Sequence, residues 1–161
     1  MWCSKRKEML GPGERAPDVR LRLLSGEPWS LYEALSQQPV VLVFFKISCP
    51  TCQFTLPFLE RLATSTAGNI VLVSQDDACK TQEFRRRFGI TIPTAIDEGR
   101  AYAASNAYQI TNVPSLFLID RNGVISKSMT GFQRAELESL GQMFGIPTFR
   151  PDERVPILRP G

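Results

Sequence analysis

Val40-Val41-Leu42-Val43-Phe44-Phe45-Lys46-Ile47-Ser48-Cys49-Pro50-Thr51-Cys52 is the stretch on which the fold turns. Residues 40–47 are apolar on both faces of a pleat except at Lys46, the pattern of a central strand covered on both sides. After Cys49, the residues Phe54, Leu56, Phe58, Leu59 and Leu62 form an apolar stripe suited to a helix packed on a sheet, with Pro57 inside it predicting a kink. A strand that ends in Cys-x-x-Cys and turns into a helix is the arrangement disulfide exchange requires. It sets the first sulfur at a helix N-terminus, where unpaired backbone N–H groups and the macrodipole favour negative charge. Cys49 is therefore the candidate nucleophile. Cys52, one turn further in, can reach the first sulfur and expel whatever has bonded to it, so it is the candidate resolving thiol.

Outward from this stretch, strands and helices alternate. Residues 19–23, Val-Arg-Leu-Arg-Leu, alternate with period two, as in an edge-type strand, and Ser25-Gly26 offers a turn. Ser30 and Glu33 have capping-box spacing and open a short helix that Pro39 must end. Residues 70–74 read as a second buried strand, followed by Asp76-Asp77 and a helix through Phe88 that Gly89 closes. A short strand near 91–96 and a helix over 100–109 come next. Residues 113–120 form a strand, Arg121-Asn122-Gly123 a hairpin turn, and 124–129 the antiparallel partner. A last helix spans roughly 134–144.

This order predicts one α/β domain over residues 13–145, a mixed sheet flanked by helices. A loose lead-in, 1–12, precedes it. The stretch 146–161, with prolines at 147, 151, 156 and 160, reads as an extended tail.

The totals exclude several classes of function. The chain has 161 residues, 43% hydrophobic, enough for a single core, and a net charge of +3 with no basic stripe interleaved with aromatics, so nucleic acid is not an expected partner. It has no histidine, which removes Cys-His and Ser-His catalysis and the commonest transition-metal ligand. Four cysteines, at 3, 49, 52 and 79, are too few for a disulfide-stapled scaffold. No stretch reaches the length of a membrane span and no apolar segment follows the charged start. The cytoplasm is the expectation on that ground. A periplasmic or membrane-anchored setting is the alternative if a segment precedes Met1.

With Cys49-Pro50-Thr51-Cys52 at the first strand–helix junction, Pro57 within the helix and Val113-Pro114 ahead of Ser-Leu-Phe-Leu, the chain resembles the thioredoxin superfamily. The lead-in from Gly13 through Ala16-Pro17-Asp18 to Leu21, and a strand–helix insert around 91–109, are similar to its TlpA-like and AhpC/TSA (redoxin) branch. The resemblance implies a thioredoxin-like three-layer sandwich with an N-terminal strand extension, and a thiol-disulfide oxidoreductase needing no metal or organic cofactor. Protein dithiols or disulfides would be substrates, an upstream redox partner would recycle the pair, and a monomer is expected. It implies a cis bond at Pro114 and a substrate platform in which Val113 and Pro114 pair with an extended peptide by strand addition, while Pro50 and Thr51 shape the contact surface.

Some positions depart from the family pattern. Val43 stands where thioredoxins bury an acid, Ser48 where a tryptophan usually precedes the motif, and Thr55 where some TlpA-like reductases carry a glutamate. No carboxylate is thereby assigned to take the Cys52 proton.

The same residues bear on other readings. A zinc half-site lacks a second cysteine pair, since Cys3 and Cys79 do not supply one. A peroxidase of the redoxin type would want a threonine or serine at Lys46 and a proline at Leu42. A metal-carrying or adaptor module would lack the usual histidine ligand. Cys79 follows Asp76 and Asp77, which disfavour a second negative charge, so it reads as a plain free thiol, as does Cys3. Arg85-Arg86-Arg87 reads as the solvated face of a helix whose Phe84 and Phe88 point inward.

Overall fold

Strand β3 (Val40–Phe45) is the middle of a five-stranded sheet in a computed structural model that describes residues 8–64, 69–97, 99 and 101–161. It pairs in parallel with β4 (Ile70–Ser74) and antiparallel with β6 (Ser115–Ile119). Beyond these lie β5 (Thr94–Ile96), parallel to β4, and β7 (Ile125–Thr130), antiparallel to β6, giving the order β5-β4-β3-β6-β7.

Because successive side chains alternate across a pleat, the continuous apolar run of β3 serves two layers. Val41, Val43 and Phe45 face Leu56, Leu59 and Leu62 of α2 (Pro50–Thr64), Phe84 of α3 (Ala78–Phe88), and Leu137 and Leu140 of α5 (Arg134–Phe144). Val40, Leu42 and Phe44 face Leu31 and Leu35 of α1 (Leu31–Leu35), Ala104 of α4 (Ala103–Ala107), and Tyr108. The result is the expected three-layer sandwich. Full burial of each of these side chains is worth about 2 kcal/mol, so β3 is the element least free to leave the sheet.

The local signals act as the residue types predict. Ser30 accepts the Glu33 amide at the start of α1, and Asp77 accepts the Lys80 amide at the start of α3. Gly89 (φ 65°) ends α3 in the left-handed region, where a residue without Cβ is unstrained.

Four differences from the sequence reading have physical causes. The alternating segment near 19–23 does not join the main sheet: β1 (Arg20–Arg22) pairs antiparallel with β2 (Pro28–Ser30) as a separate hairpin. Its neighbour Leu23 bridges Ala95, so the hairpin shields the outer edge of β5. The helix near 100–109 shrinks to α4, because its N-cap, Tyr102, offers no side-chain acceptor. Buried Asp97 reaches across instead to accept the Ala104 and Ser105 amides. In α2, Phe54 and Phe58 lie outside the main seam and form an aromatic cluster with Phe132 and Phe149. Arg85 folds inward to donate to the carbonyls of Thr91 and Ile92, whereas Arg86 and Arg87 stay exposed.

Residues 146–161 lie back across the domain. Thr148 is buried and donates its hydroxyl to the Leu137 carbonyl at 2.6 Å. This crossing is possible because the helical residue beneath it is Gly141; a Cβ there would collide with the Ile146 carbonyl. Two further short strands, β8 (Phe132–Gln133) and β9 (Leu158–Arg159), pair antiparallel and hold the far end of the tail. Cys3 falls outside the described residues. Among those described, no helix is long and apolar enough to cross a membrane.

Candidate active site

The chain leaves β3 at Lys46, which is exposed, and a short loop carries it to α2. That loop is pinned from two sides. The Ile47 amide donates to Asp76 Oδ2 at 2.8 Å, and the Gln53 side-chain amide donates to the Ile47 carbonyl at 2.9 Å. Cys49 then acts as the N-cap of α2: its carbonyl accepts the Gln53 amide at 3.0 Å, and its Sγ accepts the Cys52 amide at 3.3 Å. A sulfur thus does what a serine or aspartate oxygen does at other helix starts. Pro50 follows at the first helical position, where a missing N–H costs nothing.

The two thiols differ in depth. Cys49 is half-buried, and its Sγ–H donates to the Val113 carbonyl at 3.4 Å, a bond between residues 64 positions apart. Cys52 is fully buried beside Val43 and Leu56 in the apolar layer and lies within hydrogen-bonding reach of Cys49. Burial pushes the Cys52 thiol far above its ordinary value, and its contact with Cys49 adds to the rise. Thr55, also fully buried, donates its hydroxyl to the Thr51 carbonyl, four residues back in the helix.

Val113-Pro114 is a cis peptide, and Pro114 is buried with its carbonyl accepting the Gly131 amide at 2.8 Å. The predicted site residues Cys49, Cys52 and Val113 therefore meet at one end of the sheet. Thr51 is buried and its hydroxyl donates to the Pro160 carbonyl at 2.6 Å, whereas Pro50 is exposed. A shallow groove of about 300 Å³ beside the loop is lined by Ile47, Ser48, Gln53, Lys80, Phe84 and Phe88. Cys79 is exposed in the first turn of α3. Among the described residues no group of three or more His, Cys, Asp or Glu side chains is placed to hold a metal.

Sequence reasoning missed Asp76, Gln53 and the Pro160 contact. The spacing of Gln53, four residues after Cys49, marks it only as an ordinary helix position. Asp76 reads as a helix-start acid, and its bond to a loop 29 residues away has no local signature.

The Redoxin family profile matches residues 11–143, spanning both cysteines and the Val113-Pro114 turn. The chain belongs to the redoxin family. It is 31% identical over 134 residues to the thiol-disulfide oxidoreductase ResA of Geobacillus thermodenitrificans, covering 81% of this chain and 75% of that protein. It is 30% identical over 133 residues to the methylamine utilization protein MauD of Methylobacillus flagellatus, covering 80% of this chain but only 62% of MauD. Among solved structures it is similar to the thioredoxin domain of a thiol-disulfide oxidoreductase from Bacteroides vulgatus. The TM-score is 0.72 at 19% identity, covering 84% of this chain and 98% of that one, and it bears on the fold alone. The redoxin chain thus stands among thiol-disulfide oxidoreductases, on a thioredoxin fold whose mixed sheet and flanking helices match the architecture above.

Proposed function

We propose that this redoxin exchanges disulfides with protein substrates through the Cys49/Cys52 dithiol. The observation that carries the reading is the split in depth: Cys49 caps a helix at the surface against Val113, and Cys52 waits behind it in the core. In the reducing direction the Cys49 thiolate attacks one sulfur of a substrate disulfide, forming a Cys49–substrate bond and releasing the other substrate sulfur as a thiolate. Cys52 then loses its proton and attacks Cys49 Sγ. The mixed bond breaks, the second substrate thiolate leaves, and the protein holds a Cys49–Cys52 disulfide. The substrate has gained two electrons and the dithiol has lost them. Oxidation of a substrate dithiol runs the same steps backwards, and the relative potentials of the couples set the direction. A second redox protein resets the pair.

Pro50, Thr51, Val113 and Pro114 form the surface that receives an extended substrate segment. The Val113 main chain supplies the strand-addition contact and the Thr51 hydroxyl a donor. The test is a redox titration of the pair followed by trapping with Cys52→Ala. The expected result is a two-electron couple and a covalent adduct at Cys49 with a disulfide-bearing protein. A pair that does not cycle, or a Cys49 that captures nothing, sinks the reading.

A further inference from the structure

The surface just described is already occupied. The Thr51 hydroxyl donates to the Pro160 carbonyl, and Gly161 lies so close to the Val113 main chain that a Cβ built on it would sit well inside 3.0 Å of the Val113 carbonyl oxygen. Arg159 lays its guanidinium over the Phe54 ring, 5.1 Å from the centroid. The Arg134 amide donates to the Ile157 carbonyl at 3.0 Å, and the Phe132↔Arg159 and Gln133↔Leu158 pairs add a short antiparallel ladder. Gly131, at φ 67°, leaves room for this approach, since a Cβ there would meet the Arg159 carbonyl at 2.5 Å. Most of these bonds are made by main-chain atoms. The side chains of Ile157 and Leu158 point to water, 81% and 62% exposed.

The preceding part of the tail is held in a different way. Arg61 makes paired bonds to Glu153 at 2.7 and 2.9 Å, which hold the Glu153 carboxyl down to about 2, and Thr148 is buried. Phe149 and Val155 pack on the core. One stretch is fastened by side chains in pockets, and the next is laid by its backbone along the dithiol.

We propose that residues 157–161 are a built-in occupant of the peptide groove, lying where an extended substrate lies and displaced by it before Cys49 can be reached. This rests on the disulfide-exchange reading of the site. A main-chain strap with exposed side chains gives up little apolar burial on leaving, and the clasp at Arg61 and Glu153 keeps it near for return. Tethering at that distance gives the strap an effective concentration on the millimolar scale, so it screens out peptides that bind weakly.

The test uses the full chain and a fluorescent peptide of residues 155–161, followed by anisotropy. Gly161→Val puts a Cβ where the Val113 carbonyl stands, and Arg159→Glu removes the cation from Phe54; both changes lie at exposed or half-buried positions. Each variant should bind the peptide about ten-fold more tightly than the unaltered chain, because the groove is no longer filled from within. Near-UV circular dichroism should be unchanged. Equal affinities across the three proteins overturn the proposal. A second arm measures thionitrobenzoate release from the same peptide extended by an activated cysteine. Faster release in both variants supports the occupant. Tighter binding with no release from any of the proteins leaves the occupant standing and overturns the disulfide-exchange reading instead.

Discussion

Cys49 and Cys52 stand one helical turn apart and occupy different media. Cys49 is half-buried, has a main-chain acceptor in Val113 and a main-chain donor in Cys52, and lies at the end of the sheet where a second chain can approach. Cys52 has Val43, Leu56 and the rest of an apolar layer around it, and no exposure. The difference teaches that the roles read from the motif have a physical basis in depth. A nucleophile needs access and a resolving thiol needs only to reach its neighbour, and the helix turn delivers the first sulfur to the rim and the second to the core.

The largest test of this contrast is substitution of each sulfur in turn. Cys49→Ser should lower the rate of disulfide exchange by roughly a thousand-fold or more, since serine is not ionised at neutral pH. Cys52→Ser should leave the first attack near its original rate and halt the second, so that a Cys49-linked adduct accumulates and is read by mass spectrometry. Equal losses of the first step in both variants would break the assignment.

Next in size is reactivity towards a small alkylating agent. Native Cys49 should be modified on the order of a hundred-fold faster than Cys52, whose sulfur is reached only when the α2 packing opens. Peptide mapping separates both from Cys79, which is exposed and should also react. Denaturant should bring the three rates together; a Cys52 as fast as Cys49 in the native chain would show that the core does not seal it.

The pH dependence of resolution is a finer probe. Burial raises the Cys52 thiol, so its thiolate is scarce through neutral pH. With Val43 apolar and Thr55 tied to the Thr51 carbonyl, resolution should climb about ten-fold per pH unit through the alkaline range as hydroxide takes the Cys52 proton. A plateau near neutrality in a stopped-flow measurement would point to a base acting on Cys52. The sign for stability follows from the same shift. Below the unfolded-state value of about 8.5 both states hold the proton and nothing is lost, whereas above it the unfolded thiol ionises first and folding stability falls as pH rises.

Much of this contrast was legible in the sequence because its causes are local. A six-residue apolar run, a Cys-x-x-Cys spacing and a proline before a strand each carry their geometry within a few residues. The order of elements then puts Val113 opposite Cys49. The parts that were not legible are made by atoms every residue has. The carbonyl of Pro160 bonds Thr51 across 109 positions, and nothing in a stretch of prolines foretells which carbonyl will be used. The two-residue strands β8 and β9 are too short to show a period. Gly141 reads as a weak residue in a helix, and its purpose, a notch for Ile146 to Thr148, exists only once the tail has turned back. Asp76 was visible as an acid but not as the anchor of the Cys49 loop.

The smallest expected effect is on stability, and it differs in sign between the two sulfurs. At Cys49 the site asks for an N-cap acceptor: Sγ takes the Cys52 amide at 3.3 Å, and an oxygen does this better than a sulfur. Cys49→Ser should therefore be neutral or stabilising by about 0.5 kcal/mol, within the usual range of capping changes. At Cys52 the sulfur fills a space lined mostly by apolar side chains, with the Lys46 main chain and Cys49 as its polar neighbours. Cys52→Ser places a hydroxyl among Val43, Leu56 and Leu59 and shrinks the atom that filled the space, which should cost about 2 kcal/mol. Cys52→Ala, which leaves a small void but no polar atom, should cost about 1 kcal/mol. Chemical denaturation of the reduced proteins reads all three. If serine were tolerated equally at both positions, Cys52 would have to lie in a wetter place than the packing around it allows, and the division of labour drawn from depth would fail with it.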